Sequence, residues 1–340
     1  MSGKIRWGIL GPGGIAHKFA DALKAIPDAE IIAVGSRSLQ RANAFADTFD
    51  VPHKHSSYVE LANDPEVDVI YVATPHPFHK ACAMLCLEAG KAVLCEKPLT
   101  VDARQAEEMI ACAREHKQFL MEAMWTRFIP VMVQVREWLA DGVIGEPRML
   151  TADFGNRVEL TAENMKGRLF ALELAGGAML DIGVYTVSLA SMVFGTPTKI
   201  KSLAHIGETG VDEQAAVLLS YDAGQIANLS CAITTRTSQD ARIFGTKGAI
   251  HIPNFSRATS VTLEVFGKEP VQIETPFTDN GFEYQVLEVS NCLRAGKLES
   301  DVMPLDESLS IIQTMDVARA QWGLEYLPSG SAYDPTLWKI

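Results

Sequence analysis

Apolar and polar positions change their rhythm along the 340-residue chain. Short apolar runs alternate with stretches of helical period in the first third. IRWGIL (5–10) reads as a strand, and IAHKFADALKAI as an amphipathic helix. EIIAVGS is a second strand, followed by the helix LQRANAFADTF. VDVIYVATP is apolar throughout, as expected for a strand buried on both faces. FHKACAMLCLEAG is a helix closed by Gly90, KAVLCEK a strand, ARQAEEMIACAREH a helix, and FLMEAMW a last strand. This alternation predicts a parallel, doubly wound α/β sheet of the Rossmann type.

Beyond about residue 125 the rhythm differs. The helix VMVQVREWLADG leads to RMLTADFG, then to the glycine-marked helix GGAMLDIGVYTVSLASMVFG. Strand patterns then follow one another: KIKSLAHI, QAAVLLSYDAGQIANLSCAIT, DARIFGTKGAIHIP, VTLEVFG and VQIET. SYDAGQIA reads as a hairpin with Ala223-Gly224 near its tip. Strands without intervening helices predict an α+β domain with a large, open, mainly antiparallel sheet. Two late helices, YQVLEVSNCLRAG and LDESLSIIQTMDVARAQWG, should pack on one of the domains. The boundaries expected are 1–124 for a dinucleotide-binding domain and 125–340 for a substrate-binding and dimerisation domain.

Composition narrows the class. The chain is 47% hydrophobic and 21% charged, which fits a folded globular protein. Its net charge of -12, without a basic run, argues against nucleic-acid and anionic-membrane partners. The chain enters its first strand without a leader-like segment, and no apolar run is expected to cross a bilayer. The six cysteines (Cys82, Cys86, Cys95, Cys112, Cys231, Cys292) lie in apolar segments, so reduced thiols and a cytoplasmic location are expected. No metal is expected, because His76 and His79 have no third ligand nearby.

The candidate chemistry begins at Gly11-Pro12-Gly13-Gly14-Ile15-Ala16, a G-x-G-x-x-A turn between first strand and first helix. Gly11 suits the tight turn, Gly13 and Gly14 the approach of a pyrophosphate, and Ile15-Ala16 the close start of the helix. The second strand ends at Ser36 and Arg37, with Arg41 a turn later. A carboxylate there would bind a ribose 2′-hydroxyl; a guanidinium suits a 2′-phosphate, which favours NADP over NAD. Thr74, Pro75 and His79 follow the third strand of this reading, at the edge where ligands bind in such sheets.

VLCEKPLT (93–100) ends the next strand, aiming Lys97 into the same cleft, with Glu96 beside it. Pro98 restricts the backbone there, and the cis or trans state of the Lys97–Pro98 bond stays open. Asp181 and Tyr185 lie four apart in the GG-x-x-x-D-x-G helix, so they share a face that is otherwise apolar. A carboxylate and a phenol on such a face need a polar partner, which Lys97 would supply. An ammonium at ~4 Å favours a phenolate by about 4 kcal/mol at an effective dielectric of ~20. That corresponds to a fall in the tyrosine pKa of as much as ~3 before burial opposes it. Tyr185 is then the acid/base and Lys97 tunes it; the reverse assignment remains open. Asp181 would orient Lys97 or the substrate.

With GPGGIA, ATPHPFH, CEKP, GTKGAI and the GG-x-x-x-D-x-G helix, nearly the whole chain resembles the Gfo/Idh/MocA oxidoreductase family. Tyr185, where many members carry His, and MWTRFIP (124–130) resemble its dimeric dihydrodiol dehydrogenase branch, which also holds NADP-dependent D-xylose dehydrogenases. The resemblance implies an NADP-dependent hydride transfer at a secondary alcohol of a trans-dihydrodiol or an aldose. It also implies a homodimer through the open face of the C-terminal sheet. Trp125, Arg127, Phe154 and Tyr185 would line the substrate pocket. The alternatives are a reductase of a sugar-derived ketone or dicarbonyl and a non-catalytic NADP(H) sensor.

Overall fold

The computed structural model describes residues 3–326; residues 1–2 and 327–340, which the sequence-drawn boundaries include, lie outside it. Six strands form a wholly parallel sheet: β1 (Ile5–Leu10), β2 (Ala29–Gly35), β3 (His53–His55), β4 (Val69–Val72), β5 (Ala92–Glu96) and β6 (Leu120–Ala123). Their order is β3-β2-β1-β4-β5-β6, so the chain leaves the middle in both directions and creates a switch point between β1 and β4. Helices α1 (Gly14–Lys24), α2 (Leu39–Phe49), α3 (Tyr58–Ala62), α4 (His79–Glu88) and α5 (Ala103–His116) make the crossovers.

The continuous apolar runs behave as a doubly covered sheet requires. Every residue of β4, β5 and β6 is buried. Cys82, Cys86, Cys95 and Cys112 belong to the core on one face, with Leu87, Val93 and Ile110. All six thiols are unpaired and buried, and burial raises the pKa of each. Aromatic packing fills part of the interior: Phe19 stacks on Tyr71 at 3.8 Å and meets Trp7 edge-on at 5.2 Å. Strand β3 was not expected. It has three residues, His-Lys-His, with no apolar signal, and it forms the outer edge of the sheet.

The second sheet has eight strands in the order β14-β13-β12-β11-β7-β10-β9-β8. They are β7 (Pro147–Gly155), β8 (Lys199–Ile206), β9 (Asp212–Ser220), β10 (Ile226–Ala232), β11 (Ala241–Gly245), β12 (Gly248–Ile252), β13 (Ser260–Val265) and β14 (Val271–Glu274). The expected hairpin joins β9 to β10, and Gly224 takes a positive φ of 83° at its tip. All pairings are antiparallel except β7 with β10, which the long excursion between residues 155 and 226 makes parallel. Alternating burial along β9 and β10 leaves one face of this sheet open.

The chain packs as two compact units, and the second expected domain is not continuous. Residues up to Trp125 pack with Thr278–Leu309, whereas Thr126–Phe277 pack with Ser310–Tyr326. Helix α8 (Glu283–Arg294) therefore belongs to the nucleotide-binding unit, where it lies against α1 and its Arg294 pairs with Asp28 at 2.6 Å. Helix α6 (Pro130–Ala140) and helix α7 (Val184–Phe194) belong to the other unit, and α9 (Leu305–Ala320) begins in one and ends in the other. The helical stretch Leu172–Phe194 is, by length and hydropathy, apolar enough to cross a membrane, contrary to the expectation from sequence. Its apolar window is 72% buried within the fold, as the core helix of a globular unit would be.

Candidate active site

One group of candidate residues lies at the carboxyl edge of the parallel sheet. Gly11 leaves β1 with φ of 87°, and an added Cβ would sit 3.3 Å from the Ala73 carbonyl oxygen. The turn thus needs glycine both for its φ and for its closeness to the end of β4. Gly11 N–H donates to the Gly35 carbonyl, which ties the turn to the end of β2. An added Cβ at Gly13 or Gly14 meets nothing within 4 Å, and no side chain caps α1. Backbone N–H groups at an uncapped helix start, reached across bare glycines, fit a pyrophosphate. Ile15 and the buried Ala16 open the helix beside that surface.

Ser36 is buried at the end of β2 and its hydroxyl accepts the Ser38 N–H, while Arg37 and Arg41 are both exposed. Arg37 also lies over the Phe78 ring at 5.9 Å and bonds to Tyr58. The segment 35–41 contains no acidic residue. These residues fit a nicotinamide dinucleotide.

His79 proves to be a scaffold residue. It has no exposed surface, and its ring nitrogens meet the Pro98 carbonyl at 2.9 Å and the Thr74 carbonyl at 2.8 Å. A ring so enclosed cannot touch a cofactor as the sequence reading had it. It instead links the loop after β4, with Thr74 and Pro75, to the turn that follows Lys97. Burial pushes its pKa down against the pull of both carbonyls.

Glu96 is similarly drawn inward. Its carboxylate accepts the Tyr71 hydroxyl and, at 3.2 Å, the Lys97 N–H. The Lys97–Pro98 peptide is cis. On the following turn, the buried Glu122 carboxylate accepts the Leu99 N–H at 3.0 Å. Lys97, half-buried, is therefore held by backbone contacts on both sides of its own position.

A second group of candidate residues lies in the other unit. Asp181 sits in a π-helical turn, Met179–Gly183, that runs directly into α7 with Tyr185 in its first turn. Such turns are frequent at functional positions. The glycines explain themselves by contact. Gly177 has φ of 113°, and a Cβ there would lie 2.1 Å from Asp212 Oδ1; at Gly183 it would press on Met179 Sδ and Cys231 Sγ. The helix start is fixed by the buried Asp212, whose Oδ2 accepts the Met179 N–H at 2.6 Å. Burial raises the Asp212 pKa to about 7, opposed by that N–H and by Arg319.

Asp181 is 6% exposed and accepts a bond from Arg168 Nη1 at 2.5 Å. Arg168 thus provides a cation that the sequence reading missed. It lies in an irregular segment, thirteen residues before its partner, where no periodicity marks it. Phe154 packs on Tyr185 with ring centroids 5.5 Å apart. Arg127 is buried and donates to Ser188 Oγ at 2.9 Å and to the Ser188 carbonyl at 2.7 Å, which makes it a brace for α7. Trp125 stacks on Phe282 at 4.8 Å within the first unit. Of the predicted set, the nucleotide-binding residues and Lys97 share one sheet edge, while Asp181, Tyr185 and Phe154 gather around the start of α7.

Residues 5–124 match the oxidoreductase family with an NAD-binding Rossmann fold, and residues 132–251 match the GFO/IDH/MocA C-terminal domain. The chain belongs to the Gfo/Idh/MocA oxidoreductase family. Trans-1,2-dihydrobenzene-1,2-diol dehydrogenase from Mus musculus is 41% identical over 331 residues, covering 95% of this chain and 98% of that one. The Homo sapiens enzyme of the same name is 41% identical over 332 residues, with the same coverage. Among solved structures, KijD10, a 3-ketoreductase from Actinomadura kijaniata in complex with NADP, is similar with TM-score 0.83 and 29% identity, covering 93% of this chain and 97% of that one. An aldose-aldose oxidoreductase from Caulobacter crescentus shares the fold, with TM-score 0.84, 22% identity and coverage of 94% and 98%. This member of the family is a nicotinamide-dependent dehydrogenase acting on CH–OH type donors.

Proposed function

We propose that the enzyme oxidises a vicinal trans-diol or an aldose such as D-xylose, with NADP as its cofactor. The observation that carries this reading is near-full-length similarity to relatives named for a trans-dihydrodiol, joined to an arginine pair at the end of β2. Ser36, Arg37 and Arg41 would hold the 2′-phosphate, and Gly11 to Ala16 the pyrophosphate. NADP⁺ held by these residues would supply the hydride acceptor for the carbinol carbon. Tyr185, held as a phenolate by the Lys97 ammonium, takes the hydroxyl proton and becomes a neutral phenol, and Asp181, held by Arg168, orients the hydroxyls. Phe154 against Tyr185 offers an aromatic wall to an arene ring or to the C–H face of a sugar.

Assembly and location belong to the same proposal. The open face of the eight-stranded sheet carries a cross-strand row of Met149, Ile226 and Phe244, with Leu218 and the 80% exposed Leu203 further along. A homodimer formed through this face would cover these side chains. Six buried thiols suit a reducing cytoplasm. The likeness to a 3-ketoreductase supports a second reading, reduction of a sugar-derived ketone at the same residues.

The test is NADP⁺ and NAD⁺ reduction with trans-dihydrodiols, D-xylose and D-glucose, together with NADPH oxidation by keto-sugars. Turnover of a diol or aldose with NADP⁺ preferred is the expected result. Activity with keto-sugars alone would replace the proposal with the second reading.

A further inference from the structure

The unexpected edge strand β3 presents two histidines to one carboxylate. His53 and His55 are two residues apart on a strand, so their side chains leave the same face. His53 Nδ1 lies 2.6 Å and His55 Nε2 2.9 Å from the same oxygen, Asp64 Oδ2. The three donor atoms all fall within 4.8 Å of one another. Residue 64 is tightly anchored. Its Oδ1 accepts the Glu66 N–H at 3.0 Å, and its carbonyl accepts Lys91 Nζ at 2.6 Å; the same ammonium also binds the Val67 carbonyl. The carboxylate is therefore built to hold Oδ2 toward the two rings. Its side chain is 4% exposed, whereas those of His53 and His55 are 34% and 20% exposed. An ion would reach the donors from the histidine side.

We propose that His53, His55 and Asp64 form a site for a borderline divalent metal of the Zn²⁺ class. Two imidazole nitrogens and one carboxylate oxygen are a donor set such ions favour, with a fourth position left to water. Metal–ligand bonds of ~2.0–2.2 Å place tetrahedral ligands ~3.3 Å apart. The His53 and His55 distances to Asp64 Oδ2, 2.6 and 2.9 Å, must then widen by ~0.7 and ~0.4 Å as the ion replaces the protons now between them. His53 has an outlet for its proton, since its Nε2 lies 3.6 Å from Glu66 Oε2. With Nδ1 on the metal, the Nε2–H faces a carboxylate, the usual support of a ligating histidine. Occupancy would clasp β3 to the loop before β4. The His55 carbonyl in turn accepts the Ser36 N–H at 3.2 Å, so the clasp adjoins the turn bearing Arg37.

The test uses the untagged full chain after treatment with EDTA. Titration calorimetry with Zn²⁺ should show one ion per chain at micromolar affinity or tighter, and Co²⁺ should give the intense visible bands of a four-coordinate complex. Bound Zn²⁺ should raise the melting temperature. His55→Gln and His53→Gln each keep an N–H donor for Asp64 while removing a good ligand. Each should weaken Zn²⁺ binding at least tenfold and abolish the cobalt bands, with an unchanged melting temperature in EDTA. If either substitution unfolds the protein, the other supplies the result. Absence of saturable one-to-one binding, or binding that survives the histidine changes, would overturn the proposal. Hydrogen bonding alone would then be the role of these three side chains.

Discussion

The two units position their candidate residues by different means. In the nucleotide-binding unit, the functional groups sit where strands end, and backbone turns place them: Gly11 by its φ, Lys97 by its own N–H bond to Glu96 and by the Leu99 N–H bond to Glu122. In the other unit, function rides on a helix whose start is crowded. Gly177 and Gly183 admit Asp212, Met179 and Cys231, and a buried carboxylate fixes the Met179 N–H. The first arrangement tolerates change around it provided the turns survive. The second couples activity to core packing, so substitutions there should cost stability and turnover together.

The largest effect should come from the chemistry itself. Tyr185→Phe would remove the proposed proton acceptor and should lower kcat by about 10²–10⁴-fold, with the melting temperature nearly unchanged, as steady-state kinetics beside calorimetry would show. Arg37→Ala comes next. Loss of the proposed charge-assisted bond to the 2′-phosphate, worth about 1.5–3 kcal/mol, should raise KM for NADP⁺ about ten- to a hundredfold and leave KM for NAD⁺ much less altered. In the crowded half, Gly183→Ala should cost about 1–3 kcal/mol of stability by overpacking and lower kcat as the start of α7 shifts. Denaturant melts of the variant check the first part. If Gly183→Ala were neutral, the contrast between the units would fail.

The smallest effect is a pH dependence. Folded Asp212 keeps its proton up to about pH 7, whereas its ordinary value is 3.8. The stability this group contributes is therefore fully present below ~pH 4 and is lost as pH rises to about 7. Asp212→Asn carries no such titration. The melting temperature of the native enzyme should fall relative to that of Asp212→Asn across this window, and parallel curves would contradict the assigned burial.

Much of this was legible in the sequence because period and turn chemistry act locally. The βα alternation, the hairpin at Gly224 and the G-x-G-x-x-A turn are each short-range signals, and the structure reproduces them. What escaped depends on contacts distant along the chain. Strand β3 is too short and polar to show a period, yet it carries His53 and His55. Helix α8 joins the first unit through Arg294 and Asp28, which no local pattern reveals. His79 and Arg127 look like site residues by position and serve as braces, because burial and carbonyl partners are tertiary facts. Asp181 was found by its spacing, but Arg168 was not, since it lies in an irregular loop.

The central claim is that Lys97 tunes Tyr185, and the most direct test is the pH–rate profile of kcat for Lys97→Met beside the unaltered enzyme. The rate should be lower by about 10²–10⁴-fold near neutrality, with the rising limb moved to higher pH because the phenol has lost its proposed neighbouring cation. A Lys97→Met enzyme with the same rate and the same rising limb would contradict it.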